Sequence, residues 1–114
     1  MRIGVLTAMT SEYEQLAKLL CGAEECEKDG FKYLTGTLGE NAIVLRQCGI
    51  GKVNAALGAA ELIRSFSPDA VVSTGVAGGI DKSLGVMDVV VSSSIAYHDV
   101  WCGMGNEYGQ VQGM

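Results

Sequence analysis

Proline is almost missing from this 114-residue chain, with one Pro against sixteen Gly. Disordered low-complexity segments tend to be rich in both, so the glycines point instead to tight turns and close backbone approach. Histidine is equally scarce. His98 is the only imidazole, and Cys21, Cys26, Cys48 and Cys102 form no Cys-x-x-Cys pair, so a zinc site is not expected. The four cysteines read as reduced thiols, some of them buried as small hydrophobes. Positive charge is short as well. Lys and Arg total 8 against 13 Asp and Glu, a net charge of −5. Without a basic face to neutralise a phosphate backbone, nucleic acid is excluded as the expected partner. Long apolar runs are lacking too. Stretches such as Val89-Val90-Val91 have the length of strands, so no membrane-spanning helix and no membrane partner are expected. The apolar run Ile3 to Leu6 is too short for a signal peptide, which leaves the cytoplasm as the expected location.

What is present suits one packed domain: 48% of residues are hydrophobic and 18% charged. Ile3-Gly4-Val5-Leu6 opens the chain as a strand with apolar residues on both faces, as in the middle of a parallel or mixed sheet. Thr10 and Ser11 are N-cap residue types, and Ser11 with Glu14 spells a capping box. Tyr13, Leu16, Leu19 and Leu20 then recur at helical spacing, predicting a helix from about Glu12 to Leu20, with Gly22 as its stop. Cys26 to Gly30 reads as a polar segment ending in an Asp29-Gly30 turn. Phe31–Leu38 and Ala42–Cys48 read as two strands of a hairpin joined by Gly39-Glu40-Asn41. Val53, Ala56, Leu57, Ala60 and Ile63 predict a second helix to about Phe66, closed by Ser67-Pro68-Asp69. Ala70–Thr74 is a further buried-type strand, and Val86–Ser94 has the pattern of a long one. Residues 98–114 show little periodicity, and their ending without a charge cluster or helix reads as an interruption. The order β-α-β-β-α-β-β predicts an α/β domain with a mixed β-sheet flanked by helices.

Chemistry has few places to reside. Gly49-Ile50-Gly51-Lys52 lacks the third glycine of a dinucleotide fingerprint and the Ser or Thr of a P-loop. It is a tight strand-to-helix turn or a ligand loop. Gly75 to Gly79 follows a buried strand at its carboxyl end, where ligands sit in open α/β sheets. It is a sharp bend, or a loop whose backbone approaches a flat ring or a ribose. Glu12 falls in the first turn of the first helix, just after the first strand. It is either a helix-end charge or a general base toward water, kept ionised by the helix N-terminus. His98 and Asp99, read as neighbours on a strand, face opposite ways and make no relay. Asp81 and Asp88 have no desolvating surroundings that would make either an acid. Trp101, Cys102 and Met104 form an apolar group in a glycine-rich stretch, either core or a surface to be covered.

Six motifs occur in order and with compatible spacing. They are Ala8-Met9 with Glu12; Gly49-Ile-Gly-Lys-Val-Asn-Ala-Ala56; Thr74-Gly-Val-Ala-Gly-Gly79; Gly85-Val-Met-Asp88 followed by three valines; Tyr97-His-Asp99; and Glu107-Tyr-Gly-Gln110. Together they resemble the 5′-methylthioadenosine/S-adenosylhomocysteine nucleosidases of the purine-nucleoside-phosphorylase-like superfamily. The resemblance implies a phosphorylase/hydrolase-like mixed sheet and a homodimer without metal or cofactor. It also implies hydrolysis of the N-glycosidic bond of adenine thionucleosides, as in methionine salvage. By the same resemblance, Glu12 is the catalytic residue that activates water. Met9, Ile50, Val76, Ala77 and Gly78 are substrate-binding positions near water, ribose and base. Trp101, Cys102 and Met104 lie on a loop that reaches the neighbouring subunit's pocket.

The chain departs from the family in three ways. Val76 stands where a serine is frequent, Met104 and Asn106 stand where aromatics occur, and members of the family are considerably longer. Residues 1–114 therefore read as a single partial, truncated nucleosidase domain without the C-terminal half. That half carries a ribose-clamping Glu and Met and the Asp that protonates adenine. Three other readings stand beside this one. Another purine nucleosidase, of the futalosine type or other, would hydrolyse a different nucleoside. A nucleoside phosphorylase needs arginines at an anion site, and this chain has only Arg2, Arg46 and Arg64. A non-catalytic adenine-binding or dimerisation fragment needs only half a pocket.

Overall fold

The computed structural model describes residues 1–111. The chain divides into two compact units, Met1–Gly78 and a second that begins at Gly79. The first unit runs β1 (Arg2–Thr7), α1 (Thr10–Ala17), β2 (Cys21–Lys28), β3 (Phe31–Leu38), β4 (Asn41–Gln47), α2 (Lys52–Phe66) and β5 (Ala70–Ser73). Its strands form one mixed sheet in the order β2-β3-β4-β1-β5. β1 pairs in parallel with both β4 and β5, while β2, β3 and β4 form an antiparallel meander.

The sheet has a core on each face. Leu6, Tyr33, Val44 and Leu62 cluster on the α2 side, with Ala59 and Phe66 packed against them. Leu34, Ile43 and Leu45 cluster on the α1 side, with Tyr13, Leu16 and Leu20 against them. Because β1 and β4 carry apolar side chains toward both helices, neither reads as a simple alternation; this is the expected signature of a strand covered on both faces. Leu62 is completely buried, and burial of such a side chain stabilises a fold by about 1.5–3 kcal/mol.

Four local expectations need correction. Helix α1 spans Thr10–Ala17 rather than Glu12–Leu20. The Leu19 and Leu20 amides bond back three residues, to Leu16 and Ala17, so a tight last turn carries the leucine spacing past the helix end. Gly22 consequently stops no helix; it lies in β2. That strand takes in Cys26–Lys28, expected to belong to a polar turn segment, together with the residues from Cys21 that precede it. As an edge strand with seven of its eight residues exposed, it shows no apolar alternation. Only Cys26 reaches the core, and the charges on Glu24, Glu25, Glu27 and Lys28 suit an unpaired edge. The Asp29-Gly30 turn is present, with φ of 53° and 78°, the left-handed pair that a two-residue hairpin requires. β4 begins at Asn41 and ends at Gln47, one residue earlier at each end than expected. No cysteine is fully buried: Cys21 is exposed and the other three are half-buried.

In the second unit no helix or strand forms among the described residues. The long strand expected over Val86–Ser94 is absent. The valines have β propensity, but Val89, Val90 and Val91 are largely exposed and no described strand pairs with them. A strand without a ladder partner lacks the hydrogen bonds that define it. Turns organise this unit instead. Asp81 accepts the Ser83 amide and hydroxyl, and Asp88 accepts the Gly85 amide. The Tyr97 amide bonds the Gly109 carbonyl and the Gly109 amide that of Val100. Of the irregular tail, Gln112 to Met114 lie outside the described residues. No described helix is long and apolar enough to cross a membrane.

Candidate active site

Three parallel strands finish side by side. Thr7 lies opposite Gln47 between β1 and β4, and Leu6 opposite Ser73 between β1 and β5. Two further bonds extend the ladders at that end, Cys48 N–H to the Thr7 carbonyl (2.9 Å) and Thr74 N–H to the Leu6 carbonyl (3.0 Å). The segments after β1, β4 and β5 thus leave the sheet at one carboxyl edge, where open α/β sheets bind ligands. Met9 lies on the first segment, Ile50 on the second, and Val76, Ala77 and Gly78 on the third.

Glu12 is the third residue of α1, and its carboxylate turns back to the chain that enters the helix. Oε2 accepts the Met9 amide at 3.0 Å and the Ala8 amide at 3.1 Å. Oε1 accepts the Val76 amide at 2.9 Å. The capping role expected of Ser11 with Glu14 therefore belongs to Glu12. Helix α1 begins at Thr10 with Met9 as N-cap, so Ser11 is already inside the helix and Glu12 holds the position from which a carboxylate reaches the N-cap amide. Helix-end charge and chemical group are one residue, because the cap is what aims the carboxylate.

The Val76 amide first, then the Met9 amide, hold the Glu12 carboxyl below its ordinary value; desolvation opposes them, and the Ala8 amide adds the smallest contribution. Hydrogen bonds to the charged form have this effect. Three donors on two oxygens leave lone pairs over, so the ionised group can still accept a proton of a water molecule. Room exists for one. A cleft of about 340 Å³ is lined by Ser11, Glu12, Gln15 and Leu16 of α1 and by Thr74, Gly75 and Val76 after β5.

This arrangement joins Glu12 and Val76 directly. Met9 contributes its amide to Glu12 but does not line the cleft. Ile50, Ala77 and Gly78 are exposed at the same sheet edge without lining it. In the sequence Gly75 is only one glycine of the Gly75–Gly79 loop. A Cβ built on it would lie 2.5 Å from Glu12 Oε1 and 2.9 Å from Cδ. The one signal for it was a glycine directly before Val76; nothing in the sequence linked that glycine to Glu12. A second, larger cleft of about 720 Å³ lies by the β2–β3 hairpin, with Tyr13, Glu25, Lys32 and Tyr33 in its wall. No motif marked it.

In the second unit Trp101 and Met104 are exposed and Cys102 is half-buried. The Asn106 side chain donates to the Cys102 carbonyl at 3.2 Å. His98 and Asp99 lie on no strand, so the opposite-facing expectation is corrected: His98 Nδ1 is 3.9 Å from Asp99 Oδ1, with the imidazole almost fully exposed. The Ser83 hydroxyl and amide hold the Asp81 carboxyl below its ordinary value, the wrong direction for a proton donor. No group of three or more His, Cys, Asp or Glu side chains is arranged for a metal among the described residues.

The family model of the phosphorylase superfamily matches residues 2–112. A 5′-methylthioadenosine/S-adenosylhomocysteine nucleosidase from an Exiguobacterium species is 44% identical over 115 residues, covering all of this chain and 49% of the relative. The nucleosidase of that name from Staphylococcus aureus is 42% identical over 113 residues, 98% of this chain and 50% of its own. Among solved structures, the Colwellia psychrerythraea nucleosidase in complex with adenine superposes with a TM-score of 0.89 at 45% identity, covering 98% of this chain and 47% of that one. The Streptococcus pneumoniae nucleosidase with a transition-state inhibitor gives 0.90 at 38% identity, covering 99% and 50%. The chain spans about half the length of the relatives it matches.

Proposed function

The chain belongs to the phosphorylase superfamily, and from that premise we propose that it supplies the water-activating half of a nucleosidase. The reaction is hydrolysis of the N-glycosidic bond of 5′-methylthioadenosine or S-adenosylhomocysteine, with release of adenine. The observation that carries this reading is the Glu12 carboxylate, held by three backbone amides in a cleft at the carboxyl edge of β4, β1 and β5. A carboxylate fixed there takes a proton from water as the water attacks the anomeric carbon. Its negative charge also opposes the positive charge that develops on the sugar in an oxocarbenium-like transition state.

Hydrolysis is preferred to phosphorolysis because the three arginines are engaged elsewhere. Arg46 is buried, with Nη1 3.3 Å from the Tyr33 hydroxyl and its guanidinium 4.3 Å from the centre of the Phe31 ring. Arg2 bonds the Phe66 carbonyl, and Arg64 pairs with Glu61 and Asp29. None lines the Glu12 cleft, and an ionised Glu12 repels an incoming phosphate. Met9, Ile50, Ala77 and Gly78 are the remaining substrate positions of this reading. It includes a cytoplasmic homodimer in which Trp101, Cys102 and Met104 serve the neighbouring subunit. It also treats residues 1–114 as one partial domain that needs a C-terminal half for its acid.

The test is adenine release from 5′-methylthioadenosine, followed by mass spectrometry in a protein that joins this chain to the C-terminal half of a relative. Equal release with and without phosphate supports hydrolysis. Release that depends on phosphate overturns it in favour of a phosphorylase.

A further inference from the structure

Gly75 sits between two fixed points. The amide before it, of Thr74, bonds the Leu6 carbonyl and extends the β1–β5 ladder. The amide after it, of Val76, bonds Glu12 Oε1. The backbone at Gly75 is thus pinned on both sides, and the space where a side chain would stand is filled by the Glu12 carboxylate. We infer that Gly75 is a positioning residue for Glu12: its missing side chain is the room in which the carboxylate lies while it accepts the Val76 amide. This inference rests on the reading of Glu12 as the base.

The physical consequence is specific. Gly75 has no left-handed φ, so its backbone conformation is open to alanine. The atoms that an added methyl group would meet are the far end of a flexible side chain, not backbone. Alanine at this position therefore leaves the fold intact and displaces the carboxylate. Oε1 must leave the Val76 amide, and the Glu12 carboxyl loses the largest of the influences that keep it ionised. Gly78 is the internal comparison: it is in the same loop, and a Cβ there meets nothing within 4 Å.

The experiment is NMR on the 114-residue chain. In the unsubstituted chain, the Glu12 carboxyl carbon should titrate below the ordinary glutamate range, and the Val76 amide shift should follow the same midpoint. In Gly75→Ala the Glu12 midpoint should rise, and the Val76 amide should no longer track it, with amide dispersion retained. Gly78→Ala should change neither.

Three results overturn the inference: a Val76 amide indifferent to Glu12 in the unsubstituted chain, an unchanged Glu12 midpoint in Gly75→Ala, or loss of the folded spectrum in that variant. In the fused protein that joins this chain to the C-terminal half of a relative, Gly75→Ala should lower kcat by about 10²-fold with KM little changed, the scale of a misplaced catalytic group. If that fused protein releases no adenine while the titrations behave as stated, the functional reading fails and the positioning of Glu12 by Gly75 stands.

Discussion

The amide of Val76 donates to Oε1 of Glu12 across 2.9 Å, although 64 positions separate the two residues. This bond closes the loop after β5 onto the first turn of α1. The other oxygen of the same carboxylate binds the chain between β1 and α1. One side chain therefore ties together the segments that follow two neighbouring strands. The ties are all to backbone amides, so side-chain changes nearby leave the donors in place.

Glu12→Gln should abolish turnover in a protein where the site is complete. The amide nearly keeps the shape, but its one oxygen can serve either the Val76 amide or the Met9 and Ala8 amides and not both sides, and it takes no proton from water. A lost general base costs about 10²–10⁴-fold in rate. Adenine release should fall by at least that factor while adenine binding, measured by calorimetry, persists. Near-full turnover would leave Glu12 as a helix cap alone.

Acid should weaken the first unit partly through Glu12. Its folded carboxyl titrates below the ordinary value of 4.5, so the ionised form stabilises the fold. That contribution is complete above the unfolded value and is lost as pH falls through the folded one. The stability difference between the unsubstituted chain and Glu12→Gln should accordingly shrink as pH drops below about 4.5 and stay constant above it. Urea unfolding at a series of pH values checks this, and a difference that grew in acid would contradict it.

The 114-residue chain alone should be catalytically silent toward 5′-methylthioadenosine. Glu12 provides a base, yet departure of adenine also needs a proton donor. Asp81 is held ionised by Ser83, and Asp88 is tied to the Gly85 amide. Incubation of chain of verified mass with the nucleoside should release no adenine. Turnover comparable to a full-length relative would mean that these residues themselves hold the proton donor.

Trp101 should report self-association. It is 61% exposed and Met104 97% exposed in the single chain, an apolar group set on a glycine-rich stretch. A two-fold dimer covering this group should shield Trp101 from a fluorescence quencher. Light scattering at tens of micromolar would then give twice the mass of the chain, whereas a monomer with a fully quenchable Trp101 would count against the dimer.

Leu62→Ala should destabilise the first unit by about 2–5 kcal/mol, the range for a large buried side chain cut to alanine. Leu62 is completely buried in the α2-side core. The shift in the urea midpoint measures it, and a change below about 0.5 kcal/mol, the usual surface value, would be inconsistent with this packing.

Much of the first unit is written locally. The Asp29-Gly30 turn, the β3–β4 hairpin (though Asn41, expected in its loop, opens β4) and α2 with its three-and-four spacing follow from rules that span a few residues; so does the place of β5, but it ends at Ser73 and is mostly exposed where a buried strand over Ala70–Thr74 is expected. Glu12 was legible as a candidate because a carboxylate in a first helical turn after a strand is a local pattern. The six motifs in order resembled the nucleosidases.

Tertiary structure decided the rest, each time because a partner distant in sequence supplied the missing bond. β2 exists because β3 folds back along it, and its own charged, exposed residues carry no period that would announce a strand. The Val86–Ser94 run has a strand's β-branched propensity and forms none among the described residues, because propensity without a ladder partner leaves backbone groups unpaired. The carboxylate of Glu12 is aimed by the Val76 amide and admitted by the absent side chain of Gly75. No reading of residues 8–12 alone could have found either, since parallel pairing of β1 with β5 is what brings the two segments to one edge.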